Sequence, residues 1–109
     1  MSQHEFICKH AGWDVSVVMG WDRPCQGYFL NVIFLDERDE TSGEEHAYLS
    51  FHDPDLAGCN GFAKDPEVLV RKLHALGIAA PARLLDEVRR DGAENVGNRY
   101  EIYDGAGGR

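Results

Sequence analysis

Asp65-Pro66-Glu67-Val68-Leu69-Val70-Arg71-Lys72-Leu73-His74-Ala75-Leu76-Gly77 is the stretch where the chain changes its hydrophobic period. Asp65 supplies a carboxylate able to cap a helix, and Pro66 follows at the first helical position, where a missing N–H costs nothing. Leu69, Leu73 and Leu76 then recur at i, i+4 and i+7, the spacing of one helix face. Gly77 is placed to end the helix in the left-handed conformation, with Ile78 packing back. Pro81 opens a second helix with Leu84, Leu85 and Val88 on its apolar face, ending near Gly92.

Upstream the period is two. Glu5–Lys9 reads as a short strand, and Trp13–Met19 places Trp13, Val15, Val17 and Met19 on one face. Gly20 to Gly27 contains Pro24 and must turn. Tyr28–Leu35 is apolar on both faces apart from Asn31, which suits an inner strand. A hairpin at Ser42-Gly43 leads into His46–Phe51, and downstream Asn95-Val96-Gly97-Asn98 turns into a last strand, Tyr100–Tyr103. The expected fold is α+β, an antiparallel meander of four to five strands with two helices on one face, in the order β-β-β-β-α-α-β. Residues 1–103 are expected to form one domain and 104–109 a flexible Gly-rich tail.

The chain has 109 residues, 43% apolar and 28% charged, with a net charge of -8. No apolar run approaches the ~18 residues of a membrane span, and the first residues do not resemble a signal peptide, so a cytoplasmic protein is expected. The charge is not evenly spread. Residues 1–60 hold three bases against eleven acids, which accounts for all of it; residues 61–109 hold eight of each. Asp36-Glu37-Arg38-Asp39-Glu40-Thr41-Ser42-Gly43-Glu44-Glu45 alone carries six carboxylates and one guanidinium, a net of -5. Such a field repels phosphate backbones and acidic lipid surfaces, so direct nucleic-acid and membrane binding are not expected.

Chemistry-bearing patterns are sparse. His4, Cys8 and His10, with Cys59 or His52, are ligand types for zinc, but no Cys-x2-Cys or His-x3-His pair occurs and solvent-exposed histidines are the simpler account. Cys25 lies in a turn beside Arg23, yet a nucleophilic thiol also needs a base such as His46, His52 or His74. The acids of 36–45 are too solvated for general-acid work, and no phosphate-binding glycine loop is present. No catalytic residue, metal or cofactor is therefore assigned. A small Cys/His-dependent enzyme or metal-binding module stands as the alternative.

Gly20-Trp21-Asp22-Arg23-Pro24-Cys25-Gln26-Gly27-Tyr28-Phe29 concentrates the residue types of interface hot spots around a constrained turn. Trp21, Asp22, Arg23, Gln26 and Tyr28 are candidate contacts; in the plainer reading, Trp21 and Phe29 plug the core edge and Arg23 pairs with Asp22. This block, Leu76-Gly77-Ile78 and Asn95-Val96-Gly97-Asn98 together resemble a small bacterial family of proteobacterial genomes and plasmid-like mobile regions, over roughly residues 13–102. The resemblance brings no activity. It implies a mobile-element context, in which small proteins often inhibit host machinery, and position 25 departs from it in being cysteine. The expected function is a non-enzymatic acidic binder. Asp36, Glu37, Asp39, Glu40, Glu44, Glu45, Asp53 and Asp55 would dock on a basic surface of a protein partner. In a sharper form the acids mimic nucleic acid, as in anti-restriction and anti-CRISPR inhibitors. Monomer and homodimer, the latter through an open sheet edge, are both compatible.

Overall fold

The computed structural model describes residues 1–10, 12–35, 46–59 and 61–103. Strands β1 (Ser2–His10), β2 (Trp13–Asp22), β3 (Gly27–Phe34) and β4 (His46–Leu49) come first. Two short 3-10 segments, Ser50–His52 and Pro54–Cys59, lead to α1 (Pro66–Ala75) and α2 (Ala82–Ala93), and β5 (Arg99–Ile102) closes the fold. The fold is α+β, as the change of period requires.

Alternation along β2 separates the two faces of the sheet. Val15, Val17, Met19 and Trp21 point toward the helices and are buried, paired across the ladder with Phe34, Val32, Leu30 and Tyr28 of β3. On β1 the even positions Ser2, His4, Phe6 and Cys8 point the same way. Helix α2 packs over β1 and β2, and α1 over β3. Burial of Leu69, Leu73, Leu84 and Val88 against this surface supplies the main drive for folding, at about 1.5–3 kcal/mol per side chain. Asn31 lies on the other face, its Oδ1 shielded and without a hydrogen-bond partner among the described residues.

The helix ends follow the sequence signals. The Asp65 carboxylate accepts from the Glu67 N–H at 2.9 Å. Gly77 has φ +74°, and the Ile78 N–H reaches back to the Leu73 carbonyl at 3.0 Å, closing the helix as a glycine stop should. Pro81 precedes α2 as its cap residue. No helix among the described residues is long and apolar enough to cross a membrane.

The sheet differs from the expected meander in one respect. Its order is β4-β3-β2-β1-β5, and β5 joins β1 in parallel, Ser2 facing Arg99 and Glu5 facing Ile102. The first four strands are antiparallel neighbours, but the helical pair carries the chain back across the sheet to the end where β1 begins. A strand entering there runs in the direction of β1. The sheet is mixed.

Gly92 shows how closely α2 approaches the sheet. A Cβ at this position would collide with the hydroxyl of Tyr28, a buried residue on β3. An exposed helical glycine replaced by alanine gains about 0.5–1 kcal/mol. Here overpacking reverses the sign, and Gly92→Ala is expected to lose about 1–3 kcal/mol in chemical denaturation.

Candidate functional site at the two ends of the sheet

The turn after β2 is built by its own polar residues. The Asp22 carboxylate accepts from the Cys25 N–H at 3.2 Å, and the Gln26 N–H bonds the Arg23 carbonyl at 3.2 Å. Gln26 takes φ +51°, a left-handed conformation uncommon outside glycine and asparagine. Its side-chain amide donates to the Arg23 carbonyl at 2.7 Å and to Asn95 Oδ1 at 2.8 Å. Asn95 Oδ1 also accepts from the Trp21 indole at 3.2 Å, and Asn95 itself has φ +52°. The Trp21–Pro24 turn and the Asn95–Asn98 turn, far apart in sequence, thus form one corner. Met1 adds its ammonium to Asn98 Oδ1 at 3.0 Å.

This geometry sorts the candidate contacts of the turn. Trp21 and Tyr28 are buried and packed on each other with ring centroids 4.9 Å apart; Asp22 is buried beneath the turn. Asp22 bonds the turn backbone, and Arg23 lies close to Gly97. Arg23 and Gln26, with Pro24 and Cys25, are exposed at the tip.

The acidic candidates lie elsewhere. Asp53 is buried, accepting from the Tyr48 hydroxyl at 2.5 Å and the Asp55 N–H at 2.9 Å. Lys72 of α1 reaches Asp53 at 3.0 Å and Asp55 at 2.6 Å, so one ammonium serves both carboxylates. Burial alone would raise the Asp53 pKa, but the hydrogen bonds from Tyr48, Asp55 and Lys72 outweigh it and hold the pKa below its ordinary value. Asp36, Glu37, Asp39, Glu40, Glu44 and Glu45 fall outside the described residues. The segment that carries them joins the end of β3 to β4, whereas the turn corner precedes β3. Eight residues of strand, about 26 Å at ~3.3 Å per residue, separate the two points of departure.

The sequence offers His4 only as a metal-ligand type or an exposed histidine. His4 is fully buried, a correction that follows from its even position on β1 beside Phe6 and Cys8. Its Nε2 lies 2.5 Å from Asp91 Oδ2 and its Nδ1 2.7 Å from the Tyr103 hydroxyl. Asp91, on α2 and also fully buried, takes Arg99 of β5 on its other oxygen at 2.8 Å. Arg99 extends the network to Glu101 at 3.2 Å and Glu87 at 3.4 Å. The chemistry these groups offer is spent on each other. Among the described residues no three His, Cys, Asp or Glu side chains converge as metal ligands. Cys8 is buried, which pushes its thiol pKa up, and Cys25 is exposed.

Comparisons with protein-family models, curated proteins and solved structures gave no match. The functional reading therefore rests on geometry and charge.

All four tyrosines hold their protons more tightly than usual. Burial raises Tyr28, Tyr48 and Tyr103, the last to about 12, with carboxylates adding to it; at Tyr100 the hydrogen bond to Glu5 is the main cause. A raised folded-state pKa gives stability that is complete below the unfolded value of ~10 and lost as pH climbs through the folded value. Ultraviolet titration at alkaline pH is expected to show tyrosinate appearing late, together with the loss of the circular dichroism signal. Independent titration near ~10 in a folded chain would contradict these contacts.

Proposed function

We propose that the protein is a non-enzymatic binder whose acidic β3–β4 connection docks on a basic surface of a protein partner. One observation carries the reading. All five acids of residues 1–60 that lie among the described residues have internal partners. Asp14 pairs with Lys9, Asp53 and Asp55 share Lys72, Asp22 caps its turn, and Glu5 accepts from Ser16 and Tyr100. The remaining excess, a net of -5, belongs to residues 36–45. The helical half pairs most of its charges, Arg89 with Glu67 and Arg90 with Glu94, and serves as scaffold.

Concentrated charge of one sign speeds encounter with an oppositely charged surface and orients it, more than it adds affinity. The burial of His4 and Asp91 and their saturation by internal partners favour this reading over Cys/His catalysis. Nucleic-acid mimicry is the sharper form of the same proposal, in which the partner is a DNA- or RNA-handling complex.

The test replaces Asp36, Glu37, Asp39, Glu40, Glu44 and Glu45 by their amides. Affinity capture from host extract should enrich a basic protein with the wild-type chain and not with the variant. With that protein purified, the variant should associate about 10- to 100-fold more slowly at low salt, with dissociation little changed. Equal capture by both chains, or association indifferent to salt, would sink the proposal. Inhibition of the captured protein's nucleic-acid handling would distinguish mimicry from plain docking.

A further inference from the structure

The face of the sheet turned away from the helices is apolar, and no described helix packs on it. Ile7, Ile33, Leu35, Tyr100 and Ile102 all lie there, between 40% and 68% exposed, and they account for five of the seven large hydrophobic side chains exposed among the described residues. The registers arrange them in rows. Ile7 and Ile33 flank Ser16 on neighbouring strands, and Ile102, Glu5, Val18, Asn31 and Leu49 form the next row across all five strands. Exposed large apolar side chains in such numbers on one surface mark an interaction site.

We infer that this face binds the same face of a second copy of the chain, forming a two-layer sheet sandwich about a two-fold axis. Charge argues for this occupant. Among the described strand residues the face carries Glu5, Lys9, Asp14 and, at its turn end, the buried Asp22; Lys9 pairs with Asp14 at 2.8 Å, which leaves a net of -2 on a chain of -8. A basic partner has little to attract it here, whereas two copies can meet without strong repulsion. Area argues the same way. Leaving out the Gly20–Asp22 and Gly27–Phe29 end, where Phe29 is already buried, the strands at ~4.8 Å spacing and ~3.3 Å rise give a footprint of about 460 Å². Two footprints bury about 920 Å² before side-chain relief is counted, and that relief carries the total to the ~1,000 Å² of a specific interface. Aligned sheet packing at ~10 Å is the geometry open to two twisted faces of this kind. The inference does not depend on the acidic segment.

Sedimentation equilibrium on the full chain, from low micromolar to several hundred micromolar, tests it. The wild-type chain is expected to reach twice its monomer mass, with a dissociation constant little affected by salt. Ile7→Lys and Ile33→Lys each place an ammonium inside the interface and should weaken it at least ~100-fold. Their circular dichroism and thermal midpoints should stay near wild type, because both positions are exposed in the monomer. Neither β1 nor β3 is an edge strand, so dissociation by these variants reports on the face and not on edge pairing. A chain with residues 36–45 neutralised should still dimerise. A wild-type chain that remains monomeric, as when the face serves another protein or a lipid surface, overturns the inference. So does a dimer that survives both lysine variants.

Discussion

His4 holds the last strand on the sheet. Its ring sits without solvent access between the Tyr103 hydroxyl and the Asp91 carboxylate, and Asp91 in turn holds Arg99. Four segments meet there: β1, α2, the start of β5 and the residue following it. A parallel edge strand of four residues has few ladder bonds of its own and little burial, since Tyr100 and Ile102 face outward. Its position depends on Arg99 and Tyr103 being fixed from the helix side. Buried ionic networks are weak contributors as a whole, but removing one member leaves an uncompensated charge at a cost of about 3–5 kcal/mol. The network therefore specifies where β5 goes more than it adds to stability.

Placing β5 also places the turn before it. With Arg99 beside Ser2, the Asn95–Asn98 turn is brought against the Trp21–Gln26 turn, and Asn95 bridges Trp21 and Gln26. Two residues in left-handed backbone conformations, Gln26 and Asn95, are held by each other's side chains. That corner is polar and tied by side-chain hydrogen bonds at one end of β3, and the strongly acidic connection follows the other. Among the described residues the molecule thus offers two separate surfaces, the turn tip and the apolar sheet face.

Much of this was legible where the signal is local. The Asp65-Pro66 start, the Leu69–Leu73 spacing and the Gly77 stop are each decided by neighbours within a turn of helix, and each reads correctly. The alternation Val15-Val17-Met19 also extends to Trp21, which is why Trp21 points into the core instead of outward at the turn. The same period separates Trp21 and Tyr28 from the exposed Arg23 and Gln26. The parallel pairing of β5 left no local trace, because the partner of Arg99 lies at the other end of the chain. Residue type alone points His4 outward, whereas its even spacing from Phe6 and Cys8 places it on the buried face. The junction of the two turns required the fold itself, since nothing in either segment names Asn95 as the acceptor.

The proposed acidic docking and the proposed dimer both rest on the same scaffold. The helix face is filled and the described acids of the first half are matched, which leaves the apolar sheet face outward among the described residues. Both proposals depend on the last strand that His4 holds on the sheet. Observation of the His4 ring by proton–nitrogen correlation tests that attachment most directly. An ionised Asp91 oxygen can only accept, so the expected result is a proton on Nε2 that is visible and slow to exchange with water, with Nδ1 bonded to Tyr103. A ring whose protons exchange freely with solvent would contradict it.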